Sequence, residues 1–136
     1  MTLNLEIVTP EKVVFKDEVN EVVVPTTSGE IAILPNHISL LSQIAPGEMT
    51  IKKGGTQDSL AITGGFLDVH NNNVSILADY AIRSEDIEIA KVEEAQKRAE
   101  KVMQEKASDQ DFALAEAQFR RTILELKVAS KRRRKI

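Results

Sequence analysis

Apolar and polar residues alternate in short runs from Leu3 to Arg83, and beyond Arg83 the apolar spacing lengthens to about 3.6 residues. Every Gly and every Pro lies in the first stretch. The runs that predict strands are Leu3–Val8, Lys12–Phe15, Val19–Val24, Ile31–Leu34, Ile38–Ile44, Met49–Lys53, Ser59–Thr63, Phe66–Val69 and Val74–Leu77. Pro10 and Pro25 close the first and third, and Pro35-Asn36-His37 marks a turn. Gly54-Gly55 and Asn71-Asn72-Asn73 fall where hairpin turns need positive φ. Short strands at intervals of about ten residues, with no helix-length pattern among them, predict a sandwich or barrel. Gly64-Gly65 sits between two strand runs and predicts a bulge or a close backbone approach. A phosphate loop would need a following helix to supply N–H donors, and none follows.

The second stretch predicts two helices. Ser84-Glu85-Asp86 opens the first with acceptors and negative charge, and Ile89, Val92, Ala95, Ala99, Val102 and Met103 form its apolar stripe. Glu93 to Lys97 and Glu94 to Arg98 are supporting pairs on the other face. Ser108-Asp109-Gln110-Asp111 is a capping signature that restarts a helix, with Phe112, Ala115, Phe119, Ile123 and Leu126 as its stripe. A short connection predicts an antiparallel hairpin. The stripes are rich in Ala, so the hairpin gains little from packing on itself at about 25 cal/mol per Å² of apolar area buried. Such a unit suits a movable arm.

Composition narrows the chemistry. The absence of Cys excludes a disulfide scaffold, a thiolate nucleophile and a Cys-based zinc site. No apolar run approaches the ~18 residues of a membrane span, and Met1–Glu6 reads as a strand rather than a basic leader. His37 and His70 are the only histidines, in turn-like contexts without neighbouring carboxylates at ligand spacing, so neither a catalytic nor a metal site is expected. There is no nucleophile elbow, no Walker A loop and no dinucleotide fingerprint. The net charge of −3 divides into −6 over residues 1–85 and +3 over residues 86–136. The tail Lys131-Arg132-Arg133-Arg134-Lys135 suggests phosphate contact, but without interleaved aromatics an acidic protein partner fits it better than nucleic acid. A free-standing binding module with a helical arm is the alternative to the reading that follows, and a small enzyme is the least supported.

Three segments resemble one family. Thr27-Ser28-Gly29-Glu30-Ile31-Ala32-Ile33-Leu34-Pro35-Asn36-His37 is similar to the S-G-E-x-G-I-L-P-x-H segment of the ε subunits of F-type ATP synthases. Thr63-Gly64-Gly65-Phe66-Leu67-Asp68-Val69 resembles their S-G-G-F-x-E-V segment, and Val74–Ala78 with Ala81-Ile82-Arg83 resembles V-T-I-L-A-D-x-A-x-R. The likeness runs from residue 3 to about residue 134, in order.

The resemblance implies an α+β fold: an N-terminal ten-stranded β-sandwich over residues 1–84 that docks on the rotor, then a C-terminal antiparallel α-helical hairpin over residues 85–136 that regulates. It implies a non-catalytic central-stalk subunit of a proton-translocating F-type ATP synthase. Its partners would be subunit γ, the c-ring and the α/β catalytic hexamer, without direct membrane insertion. It would work beside the energy-transducing membrane, on the cytoplasmic or stromal side, and its arm would inhibit ATP hydrolysis. The rotor interface is expected around Glu30, His37, Leu40 and Leu41, with the Gly29-Glu30 turn facing the c-ring. Arm contacts are expected from Arg120, Arg121, Lys127, Arg132, Arg133 and Arg134. Some members of the family bind ATP at an I-D-x-x-R-A motif, which here reads Ile87-Glu88-Ile89-Ala90-Lys91-Val92. The degenerate counterpart of that site comprises Ile87, Glu88, Lys91, Arg98 and Arg121. Lys does not reproduce a guanidinium fork, Val92 crowds a small-residue position, and Glu125 stands where such members often carry Arg. Weak or no ATP binding is therefore expected, and no cofactor.

Overall fold

The computed structural model describes residues 1–105 and 108–134, with 131–134 as backbone only. Ten strands come first: β1 (Leu3–Val8), β2 (Val13–Val19), β3 (Glu21–Thr26), β4 (Gly29–Ile33), β5 (Leu40–Ile44), β6 (Gly47–Lys53), β7 (Thr56–Ile62), β8 (Gly65–His70), β9 (Asn73–Ala78) and β10 (Ala81–Arg83). A 3-10 turn at Ser84–Asp86 precedes helices α1 (Ile89–Glu105) and α2 (Asp109–Arg134). The chain divides into two compact units, Met1–Arg83 and Ser84–Ile136.

The strands form one hydrogen-bonded path, β10-β7-β6-β3-β5-β8-β9-β1-β2, with β4 on β3. It folds at its weakest joint. β3 and β5 share a single residue pair, Thr26 with Ile44, so the sheet creases there into two five-stranded layers. All pairings are antiparallel except β1 with β9. Alternating residues point inward, and Leu3, Leu5, Ile7, Val22, Val24, Ile33, Ile51, Leu60, Ile62, Leu67 and Ile76 are buried. The two edges approach at Arg83. Its guanidinium lies 5.6 Å from the ring centroid of Phe15 on β2 and 3.4 Å from Asp58 on β7.

Several sequence expectations shift. Val19 ends β2 instead of opening β3, because the turn falls at Asn20. The Asn20 side chain accepts from Gly54 N–H at 2.6 Å and donates to the Met1 carbonyl at 3.0 Å. Pro25 lies inside β3 instead of closing it. The β3–β6 ladder covers Glu21 to Val23, so no partner on that side needs an N–H from residue 25. β10 has no counterpart among the nine apolar runs, since three residues are too few to show alternation. The Gly64-Gly65 pair is a close approach: a Cβ on Gly65 would stand 2.0 Å from the Leu77 carbonyl oxygen, at φ of 143°.

The helical unit also departs from expectation. Residues 84–86 form a separate 3-10 turn, and α1 begins only at Ile89. Ser108 caps α2 by accepting from the Asp111 N–H at 3.0 Å. Among the described side chains of α2, Ala115, Thr122, Glu125, Val128 and Ala129 are buried, while Phe112 and Ile123 of the expected stripe are exposed. Ala99 on α1 is buried too, and small side chains at the contact let two helix backbones approach where bulky ones would hold them apart.

The core cluster of buried residues lies entirely within Met1–Arg83. A chain ending at Arg83 is therefore expected to unfold in one cooperative thermal transition by calorimetry. A broad, non-cooperative melt would mean that the helices complete the core.

Candidate functional site

The outward-facing residues of the β2-β1-β9-β8-β5 layer form the main candidate surface. Phe66 on β8 pairs with Leu77 on β9, Leu77 with Val8 on β1, and Val8 with Val13 on β2. Each pair shares a face, so the four side chains run across four strands as one row. Phe66 is 63% exposed, Leu77 61% and Val13 55%, with Val8 half-buried. On β5 the residue opposite Phe66 is Gln43; Leu41, 79% exposed, pairs with Asp68 and lies diagonally from Phe66 on the same face. Next to this apolar row runs a polar one: Asp68, Ser75, Glu6 and Lys16, in which Glu6 and Lys16 form an ion pair at 3.7 Å. Scattered exposed apolar residues are ordinary on a protein surface, whereas a contiguous row bordered by polar residues is a candidate docking face.

The four residues expected at the rotor interface do not share one place. Leu41 lies beside the row on the same outer face, whereas Leu40 turns inward and packs against the core. Glu30 is exposed beside Gly29 at the start of β4, and His37 lies past its other end. The His37 loop is held by the neighbouring Asn71-Asn72 turn. Asn36, at φ of 65°, donates its N–H to the Asn72 side chain at 2.9 Å, and His37 Nδ1 donates to the Ile38 carbonyl at 2.7 Å. Ile38 and Leu34 are exposed in this loop. Phe66, Leu77, Val8 and Val13 were legible as outward positions in their strands, but their alignment into a row depends on register between strands distant in sequence.

The residues of the degenerate nucleotide motif each have an environment of their own. Ile87 is buried. Glu88 and Lys91 pair at 2.8 Å, and that hydrogen bond raises the Lys91 pKa above its ordinary value. Arg98 pairs with Glu94 at 3.2 Å, and Arg121 Nε lies 3.3 Å from the Glu125 carboxylate. Every cation of the set thus faces a carboxylate three or four residues away in the chain. Arg98 is two helical turns from Lys91, about 10 Å along the axis. Of the arm residues, Arg120 pairs with Glu116 at 3.4 Å and Lys127 is exposed. The side chains of Arg132, Arg133 and Arg134 lie outside the described residues. Among the described residues, no three His, Asp or Glu side chains gather as a metal site, and no helix is long and apolar enough to cross a membrane.

Comparison with known proteins gives a consistent answer along the chain. Residues 2–84 match the family model of the β-sandwich domain of the ATP synthase delta/epsilon chain, and residues 85–130 match that of its long α-helix domain. The ATP synthase epsilon chain of Herpetosiphon aurantiacus is 43% identical over 133 residues, covering 98% of both chains. That of Dehalococcoides mccartyi strain BAV1 is 47% identical, covering 97% of this chain and 95% of the relative. Among solved structures, a chain of the Euglena gracilis mitochondrial ATP synthase OSCP/F1/c-ring assembly superposes with a TM-score of 0.65. At 23% identity, covering 95% of this chain and 78% of that one, this likeness speaks to the fold.

Proposed function

The chain belongs to the delta/epsilon chain family of ATP synthases, and we propose that it serves as the non-catalytic ε-type subunit of the central stalk, joining a γ-type shaft to the c-ring of a proton-translocating enzyme. The observation that carries this reading is the exposed row of Phe66, Leu77, Val8 and Val13, with Leu41 beside it on the same outer face. A γ-type coiled coil offers long apolar and polar stripes that match a row running across strands. The Gly29-Glu30 turn is assigned to the c-ring side. The chain works peripheral to the energy-transducing membrane, on its cytoplasmic or stromal face.

The helical unit acts in this reading as a regulatory arm. Arg120, Arg121, Lys127, Arg132, Arg133 and Arg134 supply positive charge for an acidic segment of the α/β hexamer. Such partly solvated contacts contribute about 1 kcal/mol or less each, so inhibition rests on their sum. Nucleotide has no comparable support. Lys91, Arg98 and Arg121 are each balanced by a carboxylate, so a polyphosphate meets a locally neutral surface.

Three outcomes test this function. In reconstitution with a γ-type subunit, Phe66→Asp and Leu77→Asp should each weaken binding by about 2 kcal/mol or more, roughly 30-fold in Kd, as central interface residues do. Both variants should keep the native melting behaviour, since the replaced side chains face solvent. Unchanged affinity would remove the row from the interface. Calorimetry with millimolar ATP should show no saturable tight binding, and a dissociation constant in the low micromolar range would contradict the charge argument. Neutralising Lys131, Arg132, Arg133, Arg134 and Lys135 together should raise hydrolysis by the reconstituted head more than any single change, with added salt giving the same effect. Equal hydrolysis with native and neutralised tails at low ionic strength would take the tail out of the mechanism.

A further inference from the structure

Glu125 is the only charged side chain among the described residues that is buried, at 4% exposure. It lies on the packed face of α2, between Thr122 and Val128-Ala129, which are buried with it. It pairs with Arg121, one turn earlier on the same helix, whose side chain is 41% exposed. A buried carboxylate is expensive to desolvate and persists where a cation and hydrogen-bond donors compensate it.

The order of the pair is informative. Glu94 to Arg98 and Glu116 to Arg120 run with the acid first, the order that the helix dipole favours. Arg121 to Glu125 runs the other way. A reversed pair adds little to an isolated helix, and it is the one that is buried. Its reason lies in packing against something outside α2.

The level of Glu125 along the hairpin supplies that reason. Ala115 and Ala99 line the same groove between the helices. Ten residues further along α2 is about 15 Å, which in an antiparallel pair brings Glu125 level with Ile89, the first residue of α1. α2 also packs beside the 84–86 turn. The start of α1 carries the positive end of its dipole and N–H groups without intrahelical acceptors, an environment that favours an anion.

We infer that Glu125 is a built-in anion that closes the hairpin: with Arg121 it seats a carboxylate at the start of α1 and so holds α2 against α1 without any soluble anionic ligand. The pair therefore determines both the closed state of the helices and the indifference of that state to nucleotide. This goes beyond the assembly reading and concerns the isolated chain, so failure of the γ-binding experiment would leave it standing.

The test is a double-mutant cycle on the full chain, read by hydrogen exchange of the α1 and α2 amides, with the β-unit amides as the internal record of folding. Arg121→Met removes the paired guanidinium, and α2 amides should exchange at least tenfold faster while the β unit is unchanged. Glu125→Gln removes the anion itself, so alone or combined with Arg121→Met it should leave α2 exchange at least tenfold faster than native. Magnesium-free ATP at 1 mM should leave native exchange unaltered. Native-like exchange in Arg121→Met or in Glu125→Gln, or recovery of native exchange when Glu125→Gln is added to Arg121→Met, would overturn the inference. So would ATP-dependent protection of the native α2 amides.

Discussion

A β-sandwich buries the inner faces of its two layers against each other and leaves two outer faces to find other cover. That constraint shapes the whole molecule. The inner faces of the ten strands are filled by Leu, Ile and Val, and Arg83 bridges the two sheet edges through Phe15 and Asp58. On one outer face the row from Val13 to Phe66 remains apolar and open to water. Burying such a row contributes roughly 25 cal/mol per Å² to whatever association covers it. Register makes the row: parallel pairing of β1 with β9 puts Val8 beside Leu77, and the irregularity after Ile7 puts Val13 beside Val8. A slip of one residue in either ladder would turn these side chains into the core and break the surface.

The glycines near this surface have a mechanical role. β8 approaches β9 at Gly65 more closely than any side chain permits, so Phe66 meets Leu77 directly after a position where a Cβ would collide with the Leu77 carbonyl. Asn72 does comparable work at the end of the body that carries His37. It holds Asn36 through its side-chain oxygen and the Thr2 carbonyl through its amide at 2.9 Å. The same Asn tolerates the positive φ of its turn.

Much of the fold was legible because period and punctuation agree in the first 83 residues. Leu3–Val8 alternates cleanly, and Gly54-Gly55 and Asn71-Asn72 turn where their backbone freedom predicts. What escaped the sequence was non-local. The three residues of β10 are a strand because Ile62, Ala61 and Leu60 lie opposite them, not because of their own pattern. The row was hidden for the same reason, and the adjacent pair Leu40-Leu41 drew attention to a position that turns inward. In α2 the expected stripe kept Ala115 but not Phe112 or Ile123, and close helix contact selected Thr122 and Ala129 in their place. Glu125 was visible as a departure from the nucleotide-binding pattern, but its burial and its pairing with Arg121 belong to the folded hairpin.

Side-chain footprinting of the assembled enzyme tests the central claim most directly. Hydroxyl-radical oxidation of Phe66, Leu77 and Leu41 is measured in the free chain and again after reconstitution with the γ-type subunit and c-ring, with the exposed Leu114 on the arm as the reference position. The account predicts that oxidation of Phe66, Leu77 and the neighbouring Leu41 falls several-fold on assembly, while Leu114 reacts as before. Equal oxidation of Phe66 and Leu77 in the free and assembled chain would show that the row stays open to water and that the body docks through another surface.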